Sequence, residues 1–158
     1  MKHIFLILAF ASSLAFGQFE QGTKLMDGTF SYRSIDGGEN LDGDKLDNTT
    51  STSLSLTYGQ FFMDNLLVSG TFDYKAMNKH GSDGTNSTNI LIGADYFFSS
   101  WYAGLGVAIP DEGDSEFLIG AGMLTPFRES SNVYLNPSLK YWMDSETLVL
   151  GVGLTLLF

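Results

Sequence analysis

The chain has 158 residues, of which 18 are acidic and 8 basic, for a formal net charge of −10. That balance argues against nucleic acid or anionic surfaces as partners. With no cysteine, a disulfide framework and a lipid-attachment cysteine are both excluded, and with the latter a lipoprotein.

The first segment in chain order is 1–17. Lys2 and His3 make a short basic start, Ile4 to Phe16 is apolar except at Ser12 and Ser13, and Ala15 and Gly17 are small. This pattern predicts a secretory signal peptide cleaved before Gln18. As a helix, Ile4 to Phe16 would reach about 20 Å, short of the roughly 30 Å hydrocarbon core of a membrane. Residues 18–158 then form one domain and contain no second long apolar run.

Turn signals divide that domain into eight alternating segments, predicted as strands at about 24–35, 50–59, 65–76, 88–98, 101–109, 116–126, 132–142 and 147–158. The connections also alternate. Asp36 to Thr49 is long and acidic, and Met77 to Ser87 is long and rich in Gly, Ser and Asn. Gln60 to Asp64 and Ser99-Ser100 are short, followed by Pro110 to Ser115, Phe127 to Ser131 and Met143 to Glu146. Length and charge gather in the odd connections, apart from the short last one. Short turns on one side and longer loops on the other, around an even number of strands, describe a transmembrane β-barrel.

The faces agree. In the last segment Leu148, Leu150, Val152, Leu154, Leu156 and Phe158 share one parity, against Thr147, Val149, Gly151, Gly153, Thr155 and Leu157 on the other. Side chains alternate across a strand, so one face is continuously apolar and the other thin or weakly polar. In the third segment Val68, Gly70, Phe72 and Tyr74 oppose Ser69, Thr71, Asp73 and Lys75. The charges of the central strand stretches, Asp27, Arg33, Asp73, Lys75, Asp95 and Lys140, all fall on the polar parity. A charge facing lipid costs roughly 2–4 kcal/mol at the midplane, which is the force behind this sorting. Pro137 lacks a ladder donor and is expected at an irregularity. Aromatics gather near the predicted strand ends. Tyr58, Phe61, Phe62, Tyr96, Phe98, Trp101, Phe127 and Phe158 are placed at the inner boundary, and Tyr32, Phe72, Tyr74, Phe117, Tyr141 and Trp142 at the outer one. The expected fold is all-β, a transmembrane antiparallel up-and-down barrel of eight strands.

The unit Leu56-Thr-Tyr-Gly-Gln-Phe-Phe-Met-Asp-Asn-Leu-Leu-Val-Ser-Gly-Thr-Phe-Asp-Tyr74, with a degenerate echo at Leu139 to Leu148, resembles the small outer-membrane barrels of the OmpA/OmpX-like family. The alternating last strand ending in Phe158 resembles the signal read by the barrel-assembly machinery. The resemblance covers residues 18–158 and implies a porin-like β-barrel in a Gram-negative outer membrane, in contact with lipid and lipopolysaccharide. The periplasmic peptidoglycan-binding domain of OmpA has no counterpart in residues 18–158, so that anchoring role does not carry over.

Two groups of candidate site residues follow. Asp27, Arg33, Asp73, Lys75, Asp95 and Lys140, three acids and three bases, either pair and fill the lumen or line a narrow pore. Eight strands leave an interior just wide enough for side chains, which favours the filled lumen. Asp36, Glu39, Asp42, Asp44 and Asp47, with Asp111, Glu112 and Asp114 on the same side, form acidic loops that either bind divalent cations or are simply solvated. The spacing around Asp42 lacks the full calcium-loop pattern. His80, the one histidine of 18–158, sits beside Gly81 in a loop, without a rigidly placed nucleophile. No metal-ligand spacing, phosphate loop or nucleotide motif appears, so neither enzyme nor cofactor is expected. The sequence reading is a monomeric structural or surface-interaction barrel with an unidentified extracellular partner. Its alternatives are a narrow pore and a soluble lipocalin-like barrel.

Overall fold

The computed structural model describes residues 19–35, 49–79, 84–128 and 132–158. The segment 1–17 expected to be a signal peptide, the loop acids Asp36, Glu39, Asp42, Asp44 and Asp47, and His80 lie outside the described residues, as does the side chain of Arg33.

Nine antiparallel elements make eight barrel strands: β1 (Lys24–Ile35), β2 (Thr49–Met63), β3 (Leu66–Lys79), β4 (Thr85–Phe98), β5 (Trp101–Pro110), β6 (Glu116–Met123), β7 (Thr125–Pro126), β8 (Val133–Trp142) and β9 (Thr147–Leu157). β7 continues β6 beyond Leu124 along the same neighbour, β8. Each strand pairs with the next. β1 also pairs with β9, and this contact closes the sheet on itself. Closure leaves no open edge, so the backbone polar groups of the wall bond within the wall, as a hydrocarbon setting demands.

β2, β3 and β4 run several residues further than the sequence predicts. Gln60 to Met63 stay on the ladder opposite Leu66 to Val68, with a register shift between Phe61 and Met63. At the other end Thr49 pairs with Lys79, and Met77 with Thr85. Polar Thr, Ser and Asn pairs extend the wall beyond the apolar belt, because ladder hydrogen bonds need no apolar side chain. The turns are tight where positive φ is available, at Asn65 (φ 65°) and Ser99 (φ 68°). Asn tolerates this conformation well, since its short polar side chain bonds locally.

Pro137 pairs with Val152 on its β9 side without a register shift. On its other side the ladder breaks between Gly122↔Ser138 and Thr125↔Leu135. The missing proline N–H therefore falls at the gap around Leu124, the irregularity expected for it.

The outer surface is an apolar belt: Phe30, Leu54, Leu56, Phe72, Ile90, Ile92, Leu105, Ile119, Leu150, Val152 and Leu154 are all exposed. Two residues predicted for the aromatic girdles belong elsewhere. Phe61 is 0% exposed inside the barrel and Trp142 packs against an interior cluster. Both lie on the inward parity of their strands, and parity decides direction before proximity to a strand end does.

Candidate functional site in the barrel lumen

The inward rows begin with large side chains at the turn end. Leu25 of β1, Phe61 of β2, Leu67 of β3, Phe97 of β4, Leu124 after β6 and Leu157 of β9 form a buried cluster, joined by Tyr102 of β5 and Tyr134 of β8. Each of the eight barrel strands thus contributes one apolar or aromatic residue to a plug across the lumen. Phe19 caps it from below, stacked on Phe61 at 5.0 Å and edge-on to Phe97 at 4.8 Å. The segment 19–22 is tied down by reciprocal bonds with the β2–β3 turn. Phe19 N donates to Asn65 Oδ1 at 3.1 Å, Asn65 N to the Phe19 carbonyl at 3.0 Å, and Gln21 N to Asp64 Oδ1 at 3.0 Å.

Above the plug lies a polar layer centred on Asp27, which is 5% exposed. Its carboxylate accepts from Asn136 Nδ2 at 3.0 Å, from Thr155 Oγ1 at 2.5 Å and from the Thr29 hydroxyl. Tyr102 Oη donates to Asn136 Oδ1 at 2.9 Å, which carries the chain of hydrogen bonds to the far wall. The polarity is self-consistent: the Asn136 amide turns its nitrogen, a donor, to Asp27 and its oxygen, an acceptor, to the tyrosine hydroxyl. Among the described residues no buried side-chain nitrogen or oxygen lacks a partner.

Inward glycines make the room. A Cβ at Gly104 would lie 2.0 Å from Asp95 Oδ1, and one at Gly122 would lie 2.3 Å from Tyr102 Oη. A cavity of about 90 Å³ remains in this middle section, lined by Asp27, Asp95, Asn136 and Lys140. Asp95 is within Coulombic reach of Lys140.

Toward the loop end a second interior cluster, Leu91, Ala108 and Leu118 with Trp142, narrows the lumen. Beyond it a well of about 180 Å³ is lined by hydroxyls of Ser31, Ser53, Ser55, Ser145 and Thr147, and by Asp73, Lys75, Glu116 and Lys140. Ser55 Oγ donates to Asp73 Oδ1 at 2.6 Å.

Of the six charges read as a lumen set, the structure therefore places Asp27, Asp73, Lys75, Asp95 and Lys140 on the inner wall, at different heights. Asp27 is held by neutral donors that the sequence reading passed over: Thr29, Asn136, Thr155 and, through Asn136, Tyr102. The signal was present, since all four share the inward parity with Asp27. The plug was equally legible as a large residue ending each inward row.

Of the acidic loop residues, Asp111 is engaged locally. Its Oδ2 accepts from Thr88 N and Thr88 Oγ1, each at 3.1 Å, and Oδ1 accepts from Glu112 N at 3.1 Å. The Thr88 backbone N–H is the main reason its carboxyl is held below the usual carboxylate range. Glu112 and Asp114 are exposed. Among the described residues no three His, Asp or Glu side chains gather in a group able to hold a metal ion. Glu116 ties β6 to the β8–β9 connection by accepting from Ser145 N at 2.7 Å. The Phe158 ring is exposed on the belt, and its backbone exchanges hydrogen bonds with Lys24 at 2.8 and 3.0 Å.

No family model and no curated protein matches the sequence. Solved structures do resemble the fold. The backbone structure of the Yersinia pestis outer membrane protein Ail in a phospholipid bilayer nanodisc aligns with a TM-score of 0.54 at 16% identity. The alignment covers 88% of this chain and 100% of that one. A de novo designed transmembrane β-barrel aligns with a TM-score of 0.53 at 16% identity, over 90% of this chain and 100% of the other. The chain has the closed eight-stranded fold of small transmembrane barrels, which a natural outer membrane protein and a designed sequence reach at the same low identity.

Proposed function

We propose that this protein is a non-enzymatic barrel of a Gram-negative outer membrane, exported by a signal peptide at 1–17, whose role is structural or surface-interacting rather than conductive. The observation that carries the reading is the plug: eight barrel strands each place an apolar or aromatic side chain across the turn end, and Phe61 is 0% exposed within it. Ions entering from the loop side would meet a dry layer of aromatic and aliphatic groups. The lumen charges Asp73, Lys75, Asp95 and Lys140 balance one another above that layer. Contact with a partner falls to the loop end, where Asp111, Glu112 and Asp114 are exposed and where the acidic segment 36–47 joins β1 to β2. The outer-membrane assignment draws on the apolar belt and on the likeness to an outer membrane protein. Phe158 and the alternating β9 are the features the barrel-assembly machinery would read, and the wall closes without a second copy, which fits a monomer.

The deciding experiment is conductance of the refolded protein across a planar bilayer, with folding verified by boiled against unboiled gel mobility. Silence from folded protein is expected. A steady ohmic step would replace this reading with the narrow pore.

A further inference from the structure

We propose that the outer wall carries a phospholipid site at Gly70, on the half of the belt nearer the turns. Most positions of the belt present a side chain to the bilayer, whereas Gly70 presents none, and a Cβ built there would meet nothing within 4 Å. Its direct neighbours across the ladder are large, Tyr58 on β2 and Ile92 on β4. The wall therefore dips between an aromatic and a β-branched residue, with Val68 two residues along β3 as the lower side. The resulting groove measures about 810 Å³, within the range of small-ligand sites.

Its two ends differ in chemistry. The upper part is apolar. The end toward the turns is lined by Gln60 and Gln21 together with the exposed ring of Phe62, two amides beside an aromatic at the level where Lys24 pairs with Gln60. Gln21 is held in place through its Nε2, which donates to the Phe62 carbonyl at 2.9 Å. An apolar groove that ends in two amides beside an aromatic ring matches one end of a diacyl phospholipid. The acyl chain fills the dip over Gly70, and the ester or phosphate oxygens accept from the amides. The bilayer that surrounds the belt supplies this occupant at high local concentration, and the groove orders one molecule of it.

The test is native mass spectrometry of protein reconstituted with dioleoyl phosphatidylethanolamine and then transferred to detergent. Wild type should retain one phospholipid. Gly70→Leu puts a side chain into the dip, its Cβ meeting nothing within 4 Å, and should lower retention about tenfold, the change expected when roughly two methylene groups lose their contacts. Gly28→Leu is the control: Gly28 is also outward, lies off the groove, and its added Cβ would meet only Leu56 Cδ2 at 3.8 Å. It should retain lipid as wild type does. Gln60→Ala should weaken retention of the phospholipid. Equal retention by wild type and Gly70→Leu would overturn the site, and so would an equal loss in Gly28→Leu. Gel mobility of each variant before and after boiling certifies the fold.

Discussion

The lumen has two unlike ends, built by the same strands. At the turn end it is closed by Leu25, Phe61, Leu67, Phe97, Leu124 and Leu157 with two tyrosines. At the loop end it opens into a well of hydroxyls and charges around Asp73, Lys75 and Lys140. Both are made from inward positions, so alternation alone does not distinguish them. The difference is residue size and polarity along each inward row, and it assigns stability to one end and exposure to the outside to the other. Apolar packing fills the turn end, with hydrogen bonds from segment 19–22 to the β2–β3 turn closing it from below. Donor–acceptor matching holds the middle, and local clips such as Glu116 with Ser145 hold the loop end.

Breaking the plug should have the largest effect. Phe61→Ala removes a fully buried ring from contact with Phe19 and Phe97 and should cost about 3–5 kcal/mol. Urea unfolding of the refolded protein in lipid vesicles, followed by tryptophan fluorescence, measures this. An equal loss from Ser53→Ala in the loop-end well would erase the contrast between the ends. Combined with Phe97→Ala, the change should also admit ions to the lumen, whereas silence is expected of wild type.

The middle layer should respond next. Gly104→Ala drives a methyl group to 2.0 Å from Asp95 Oδ1 and 2.5 Å from the Ala94 carbonyl. The backbone cannot step aside within a paired ladder, so overpacking of roughly 1–3 kcal/mol is expected. Gly120→Ala, on the neighbouring strand, meets nothing closer than 3.5 Å and should be tolerated. Two inward glycines of one layer thus separate clearance that is needed from clearance that is not. Thr155→Val keeps the shape of a side chain that is 0% exposed but deletes a donor to Asp27. Leaving part of a buried carboxylate unsatisfied should cost roughly 1–3 kcal/mol in the same unfolding assay.

Much of this molecule was legible before any coordinates. The eight strands, the turn and loop sides, and the inward placement of Asp27, Asp73, Lys75, Asp95 and Lys140 follow from period-two alternation and from the cost of charge in lipid. What alternation does not carry is contact between strands distant in sequence. Asp27 meets Asn136 and Thr155 only because β1 lies between β2 and β9 in a closed sheet, with Asp27 directly opposite Thr155. Counting acids and bases therefore pointed toward ion pairs, whereas the donors that reach Asp27 are uncharged. Phe61 and Trp142 show the same limit from another side. An aromatic near a strand end suits a girdle or a plug equally well, and only the facing direction separates the two.

The smallest effect belongs to the loop end. Asp111 sits just past β5, where it accepts from the backbone and hydroxyl of Thr88 on β4. These bonds favour the ionised form and hold its carboxyl below the usual range, so the group binds its proton less readily when folded than when unfolded. Its stabilisation is therefore fully present above the unfolded value, near pH 4, and is lost as the pH falls through the lower folded value. The group is fully exposed, so the loss should be local. Protection of the Thr88 and Glu112 amides, measured against their intrinsic exchange rate at each pH, should fall on acidification below about pH 4, while protection in β1 and β9 stays unchanged. In Asp111→Ala the same two amides should have lost that protection at every pH. Acid-induced exchange that spread to β9 would mean that the loop end supports the plug, and the two ends would then have to be treated as one cooperative unit.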